Sequence, residues 1–414
     1  MAVIIIGGGA AGMMAALTAR RQGARVILLE HQNRLGIKLS ITGKGRCNLT
    51  NMKPIDEFLS NIPGNYRFLY SCLTQFSVQD LMQFFIDLGC ALKVERGDRV
   101  FPEHDSAKEL VHSLRLALTT EGVLVRTGIT IEKLLKNEKR VVGVVLNTQE
   151  TIMGSVVLCT GGITYPLTGS DGSGYRLAQE CGHSLITPRP SLVGLKTKES
   201  WVTSLTGLSL RNVALSWGEG KKRRSEFGEM LFTHTGISGP IVLTLSRDII
   251  KRLEEENSFD PIPVFIDLKP ALDEETLDKR LIRDLEASPG KHLGNAMKSL
   301  IPRTLIPVIL EICMLKETMA CSDVDKIKRR EILRVLKHLP LHVTNHAGLG
   351  EAVVTQGGIS VNEIDPRTMA SKKFEGLYLA GEMLDVDAYT GGYNLQIAFS
   401  TGYVAGMSAA HFDE

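Results

Sequence analysis

No Cys-x-x-Cys pair occurs in this chain, and its seven cysteines form an odd, widely spaced set: Cys47, Cys72, Cys90, Cys159, Cys181, Cys313 and Cys321. That scatter excludes a disulfide scaffold and a paired-thiol redox motif, and predicts reduced thiols in a cytoplasm. An excess of charge is missing too. The 48 Lys and Arg side chains meet 46 Asp and Glu, a net +2, which provides no long-range field for nucleic acid or anionic membrane. The expected partner is a small molecule held at a site, with no nucleic acid and no membrane. The opening MAVIIIGGGAAG lacks a basic n-region, and its apolar run is too short for a signal or spanning helix, so a cytoplasmic location is expected. No histidine has cysteine companions at ligand spacing, and no nucleophile, base and orienter stand together. Neither a metal centre nor a hydrolytic triad is expected.

What the chain does have begins at once. With 414 residues and 43% hydrophobic content it can bury two or three cores. AVIII reads as a strand covered on both faces. Gly7, Gly9 and Gly12 then fill the G-x-G-x-x-G positions: a tight turn, a backbone open to a pyrophosphate, and close helix–strand packing. The helix opening at Ala10, Ala11 and Gly12 offers free N–H groups and a positive dipole end to a phosphate. A second strand, RVILLE, ends at Glu30, which accepts from ribose hydroxyls and repels a 2′-phosphate, so the nucleotide is NAD or FAD rather than NADP.

Residues from about 55 to 120 read mainly as amphipathic helices. VLVRTG, ITIEKLLK, RVVGVVLN and SVVLCTGG follow as short strands, the last running into Thr160, Gly161 and Gly162, where backbone can approach a ligand. After Pro190 the texture becomes that of an antiparallel sheet up to about Pro270, then helical up to about Leu336, with strand character returning at LHVTN and EAVVTQGG. GLYLAGE ends a buried strand at Gly381 and Glu382, at the carboxyl edge where open α/β sheets bind ligands. Gly392 leads into a helix whose start, Tyr393, Asn394 and Leu395, would favour the negative charge of a reduced flavin; a plain N-capping asparagine on a core helix is the alternative. No second G-x-G-x-x-G follows a strand, which excludes a dedicated second nucleotide domain.

Taken together, GGGAAG, KLSITGKGRCNLTN, CTGGITYPLTGSDGSGY, GEMLFTHTGISGP, VTQGGI and LAGEMLDVDAYTGGYNLQIAFSTG resemble the BaiN/YhiN family of bacterial FAD-dependent oxidoreductases, to which an aminoacetone oxidase is also related. The similarity runs nearly end to end. It implies an α/β chain with a glutathione-reductase-type, Rossmann-like FAD domain (1–190 and 357–414), an inserted β-barrel-like substrate domain (191–269 and 337–356) and a small helical domain (270–336). Relatives carry an acid directly before the glycine of a GDGY motif; this chain has Ser173 there and Asp171 two positions earlier.

The resemblance also places KLSITGKGRCNLTN beside FAD. As a P-loop it fails, since Lys38 stands where the first glycine belongs and Gly45 where Ser or Thr must follow Lys44. Gly43 and Gly45 let backbone approach a ligand, Lys38, Lys44 and Arg46 offset pyrophosphate or reduced-flavin charge, and Cys47 and Asn48 complete the stretch. Cys47 has two readings, a redox thiol tuned by Lys44 and Arg46, or loop packing. His234 in FTHTGISGP is the candidate proton donor, against a histidine that simply bonds a turn. GEGKKRRSEFG reads as a solvated hairpin tip. The expected activity is hydride transfer between an organic substrate and flavin: an NAD(P)H-linked reduction of an activated C=C or C=O bond, with NADH or NADPH visiting transiently. The alternatives are an oxygen-dependent amine oxidase, a flavoprotein that binds or modifies RNA, and a plain NAD-binding dehydrogenase.

Overall fold

The computed structural model describes residues 2–220, 223–255, 260–287 and 289–412. They form two compact units, Met1–Ser191 with Leu349–Glu414, and Leu192–Gly348.

In the first unit AVIII becomes the strand Ala2–Ile6, parallel to Arg25–Glu30 on one side and to Thr151–Leu158 on the other. Val3 to Ile6 are buried, as a strand covered on both faces requires. Leu124–Thr127 extends the sheet beyond Arg25–Glu30, and Leu377–Leu379 adds in parallel to Thr151–Leu158. Thr151–Leu158 also forks: its first residues pair antiparallel with Arg140–Leu146, which turns back as Ile131–Asn137 and completes seven strands. One sheet is thus closed by segments from both ends of the chain.

Helix Ala10–Arg21 buries every residue from Ala11 to Ala19. Its small side chains admit a second helix, Tyr393–Ala410, at backbone contact. A Cβ on Gly402 would lie 2.3 Å from the Ala11 carbonyl oxygen, and one on Gly406 2.3 Å from that of Ala15. Both residue numbers increase together, so the helices run parallel. Tyr393 lies nine residues before Gly402, whereas Ala10 lies one before Ala11, so the two N-termini point the same way, staggered by about 12 Å at 1.5 Å per residue.

Two smaller sheets flank this core: Thr50–Asn51, Arg99–Pro102 and Leu92–Glu95 in one, Leu185–Ser191 antiparallel to Val354–Ile359 in the other. Reading 55–120 as mainly helical therefore misses the hairpin Leu92–Pro102, whose alternation is only four residues long per strand. EAVVTQGG lies in the first unit, paired with Leu185–Ser191, and its strand adds nothing to the barrel.

The second unit is a closed antiparallel barrel in the order Leu195–Thr197, Gly236–Ser238, Arg224–Phe232, Ser209–Trp217, Ile262–Asp267, Leu339–His346. Helices Glu274–Glu286, Leu293–Ala296, Ile306–Ile312 and Lys326–Lys337 lie between its last two strands in sequence. Asp273 caps the first of them by accepting from the Thr276 amide, and Asp325 caps the last through Lys328. Among the β segments sits helix Pro240–Glu255, which the alternating-sheet reading missed; Ile241, Val242, Leu245, Ile249 and Ile250 are its buried stripe, spaced by three and four. His338, His342 and His346 recur every four residues, a metal-chelating interval on a helix. Most of that stretch is strand, where four residues span about 13 Å. Among the described residues no group of three or more His, Cys, Asp or Glu could hold a metal ion, and no helix is long and apolar enough to cross a membrane.

Candidate cofactor and active site

The site grows from the carboxyl ends of the central strands in the first unit. After Ile6 the chain turns through Gly7, at φ +101, where a Cβ would lie 2.4 Å from the Cys159 carbonyl oxygen. Gly12 is held as tightly, with a Cβ only 1.8 Å from the Gly7 carbonyl oxygen. A Cβ on Gly9, the residue that precedes helix Ala10–Arg21, meets nothing within 4 Å. Two of the three fingerprint glycines are thus demanded by packing, while the third leaves the helix N-terminus open to a phosphate. Glu30 closes this end: Oε2 accepts from the Gly8 amide at 2.6 Å and Oε1 from the Gln32 amide at 2.8 Å. Two backbone donors orient the carboxylate and leave further lone pairs for a ribose diol.

Next to the turn lie Thr160, Gly161 and Gly162. A Cβ on Gly7 would be 3.1 Å from the Thr160 Cα, and one on Gly162 would be 2.1 Å from Thr355 Oγ1 and 3.1 Å from Glu382 Oε1. Gly381, at φ +79, packs on Ala11 and donates its N–H to Thr401 Oγ1 at 3.0 Å. Glu382 is the hub. Its Oε1 accepts from Lys38 Nζ (3.0 Å), Thr164 Oγ1 (3.1 Å) and the Thr355 amide (2.9 Å), while Oε2 accepts from Lys38 Nζ at 2.7 Å. Lys38 also donates to Thr164 Oγ1 at 2.9 Å. Lys38 and Glu382 are about one-fifth exposed, so an open lone pair on Oε2 stands beside an ammonium. A hydroxyl, which both donates and accepts, matches that pair.

Helix Tyr393–Ala410 begins at the far end. With its amide oriented to satisfy both neighbours, Asn48 accepts from the Gly392 N–H at 3.2 Å and donates to the Thr50 carbonyl at 3.3 Å. Asn51 Nδ2 donates to the Gly391 carbonyl at 3.1 Å, and Thr50 Oγ1 to Gln396 Oε1 at 2.6 Å. A Cβ on Gly392 would be 2.4 Å from the Thr50 carbonyl oxygen. Asn394 does not cap the helix. Its side chain bonds the Ala388 amide and carbonyl at 2.9 and 2.8 Å and closes the loop that leads in. Tyr393 is buried edge-on to Phe58, with burial pushing its hydroxyl pKa up to about 12, while Leu395 is half-buried.

The remaining residues of 42–48 are spread. Gly43, Lys44, Gly45 and Cys47 all have positive φ, between 57° and 87°. A Cβ on Gly45 meets nothing within 4 Å, and Lys44 is exposed. The Arg46 guanidinium binds Glu95 at 2.5 Å and Asp105 at 2.7 Å and lies 4.2 Å above the Phe101 ring. Glu95 and Phe101 anchor the loop to the Leu92–Pro102 hairpin, and Asp105 ties it to the segment that follows. Cys47 is fully buried, and burial pushes its thiol pKa up to about 12, the reverse of what a reactive thiolate needs. All seven cysteines are free and buried. His234 lies in the second unit, exposed, between Arg224–Phe232 and Gly236–Ser238, its carbonyl accepting from Thr203 Oγ1 at 3.3 Å. The GEGKKRRSEFG hairpin is present through the Trp217↔Arg224 pair, but Lys221 and Lys222 lie outside the described residues.

Two parallel helix N-termini staggered by about 12 Å, with Glu30 at one end of the path, Glu382 along it and open backbone at Gly9, suit a long dinucleotide with a diphosphate and a second charged ring. Fold and site together are those of an FAD-dependent oxidoreductase. The chain belongs to the family described as HI0933-like protein Rossmann domain, whose profile matches residues 1–408. Among curated proteins it is similar to a 3-dehydro-bile acid delta(4,6)-reductase of Clostridium scindens, 34% identical with 98% of each chain covered. It is also similar to a ribosomal RNA dihydrouridine synthase of Haemophilus influenzae, 29% identical over 98% of this chain and 97% of that one. Among solved structures, a 3-ketosteroid delta1-dehydrogenase from Sterolibacterium denitrificans matches with TM-score 0.55 at 14% identity, covering 99% of both chains. At that identity the likeness concerns the fold alone.

Proposed function

We propose that this oxidoreductase is a reductase of a C=C bond conjugated to a carbonyl, with NADH or NADPH as its reductant. Bound FAD supplies two-electron hydride chemistry. The substrate gains a hydride at one carbon and a proton at the other, while the nicotinamide leaves oxidised. The observation that carries this reading is that relatives with different substrates share one reaction class: the bile acid enzyme is named for reduction at delta(4,6), and dihydrouridine is uridine saturated at a C=C conjugated to a ring carbonyl. No second nucleotide fingerprint occurs in the sequence, so the nicotinamide must use the same open face as the substrate, one after the other.

In this proposal Gly7 to Gly12 and Glu30 would hold the adenosine diphosphate half, Lys38 and Glu382 the polyol chain, and the amides of Tyr393, Asn394 and Leu395 would face the flavin edge that becomes negative on reduction, the Gly392 N–H being taken by Asn48. His234 is the candidate proton donor. A small carbonyl-conjugated substrate is preferred to RNA, because the charge is nearly balanced overall and within 270–336, where twelve Lys and Arg meet eleven Asp and Glu.

The RNA reading has its own support in the two dihydrouridine synthases, each 29% identical. Anaerobic mixing with NADH, then NADPH, tests the reductant: flavin bleaching by either is expected, and bleaching by a small amine alone would favour the oxidase instead. The reduced enzyme is then offered a 3-oxo-Δ4,6 steroid or a ribosomal RNA transcript lacking dihydrouridine. Reoxidation by the steroid alone supports the reading; reoxidation by the RNA alone replaces it.

A further inference from the structure

The hydroxyl of Tyr175 has no hydrogen-bond partner among the described residues, although the residue is only 4% exposed. Buried hydroxyls are ordinarily bonded, because losing water without a replacement is costly. A phenylalanine would fill the same space without that cost. The helix that carries Tyr175 also borders the proposed cofactor path. That helix, Ser173–Gln179, is seated on the loop after Leu158: a Cβ on Gly174 would lie 1.8 Å from Thr160 Oγ1, and the Gly172 amide donates to the Gly162 carbonyl at 3.2 Å. Burial first, then the carboxylates of Glu382 and Asp385, push the Tyr175 pKa up, so the group is a neutral hydroxyl within electrostatic reach of Glu382. Neither carboxylate bonds it. Oε1 of Glu382 is taken by Lys38, Thr164 and the Thr355 amide, while Oε2 has Lys38 alone.

We propose that Tyr175 is a cofactor-binding residue whose hydroxyl, with Glu382 Oε2, hydrogen-bonds the polyol chain of FAD. The polyol hydroxyls both donate and accept, as a phenol beside a carboxylate requires, and the other hydroxyls of the cofactor, the ribose diol, are those assigned to Glu30. The role also accounts for an aromatic residue with a polar tip on an otherwise apolar helix face, where Leu177 and Ala178 are buried with it.

The test is Tyr175→Phe in the full chain, with two measurements: FAD affinity of the stripped protein by flavin fluorescence, and the thermal midpoint of the same FAD-free protein. FAD binding should weaken roughly threefold to tenfold, while the FAD-free midpoint equals or exceeds that of the original chain. Tyr378→Phe is the control, because the Tyr378 hydroxyl bonds the Ser408 carbonyl at 3.3 Å; it should lower the midpoint and leave FAD affinity alone. Unchanged affinity in Tyr175→Phe overturns the proposal, as does a midpoint loss matching that of Tyr378→Phe, which would make the hydroxyl structural.

Discussion

Lys38 Nζ lies 2.7 Å from Glu382 Oε2, joining residues 344 apart in the chain. The pair ties the short helix Ile37–Ile41, after the second strand, to the end of the last one, and it is the only point on the proposed cofactor path where an ammonium and a carboxylate meet among the described residues. Lys38→Met removes the cation and leaves Glu382 with Thr164 and the Thr355 amide. A partly buried pair broken on one side costs roughly 1–2 kcal/mol, so a lower thermal midpoint and about tenfold weaker FAD binding are expected. Adding Glu382→Gln should recover part of the midpoint. A double variant no more stable than Lys38→Met would mean that the pair contributes nothing.

Asn48 offers a way to read the field at the start of helix Tyr393–Ala410, the one proposed to face the flavin. Asn48→Asp keeps an acceptor for the Gly392 N–H and puts a full negative charge at the positive end of the helix, a gain of about 0.3–1 kcal/mol that the lost donation to the Thr50 carbonyl opposes. The same charge opposes that of a reduced flavin. A unit charge about 10 Å away at an effective dielectric near 20 is worth roughly 1.7 kcal/mol, or about 35 mV for a two-electron couple. Spectroelectrochemistry should find a midpoint potential lower by that order, and an unmoved potential would place the flavin elsewhere.

Gly402→Ala should be among the most damaging single-methyl changes in the protein. The added Cβ would sit 2.3 Å from the Ala11 carbonyl oxygen, between two helices that cannot separate without opening the sheet. A cost of about 1–3 kcal/mol is expected, with weaker FAD retention, since both helix N-termini move. Urea denaturation with flavin absorbance measures both; retention at the original level would mean that the helices slide freely.

Acid should weaken the first unit through His183 and Glu363. The His183 ring is fully buried, 3.2 Å from Glu363 Oε2 and 2.8 Å from Ser371 Oγ, and burial holds its pKa below the ordinary 6.5. Burial alone would raise Glu363, but Lys373 and the Ser184 amide and hydroxyl outweigh it and bring the carboxyl to about 2. Both folded values are depressed. The His183 contribution is therefore complete above pH 6.5 and shrinks below it, and that of Glu363 is complete above 4.5 and lost down to about 2. Urea midpoints from pH 8 to pH 3 should fall, more shallowly below 4.5 in Glu363→Gln. A flat profile would show that neither group is linked to folding.

Much of the first unit was legible because its signals are local. Strand, glycine turn, helix, strand and acid follow one another within the first 30 residues, and each glycine named from spacing proved to stand where a Cβ has no room or where a helix end is open. The helix Pro240–Glu255 and the hairpin Leu92–Pro102 were not legible, one because its apolar stripe is surrounded by alternating strands, the other because its strands are too short for a period to declare itself. Arg46 looked like a phosphate ligand because an arginine beside two glycines carries no mark of its partner. Its ion pairs are with Glu95 and Asp105, 49 and 59 residues away.

By itself the sequence determined the nucleotide fingerprint, the acid that ends the second strand at Glu30, and a split α/β part interrupted by β and helical segments, all of which rest on spacing within short segments. Only the tertiary structure decided that Lys38 meets Glu382, that Asn48 holds the start of the last helix, and that two helices run parallel with their N-termini staggered by about 12 Å. Those relationships join segments more than 300 residues apart. They depend on which backbones can touch, and Gly402 and Gly406 permit that touch only once both helices lie on the same sheet.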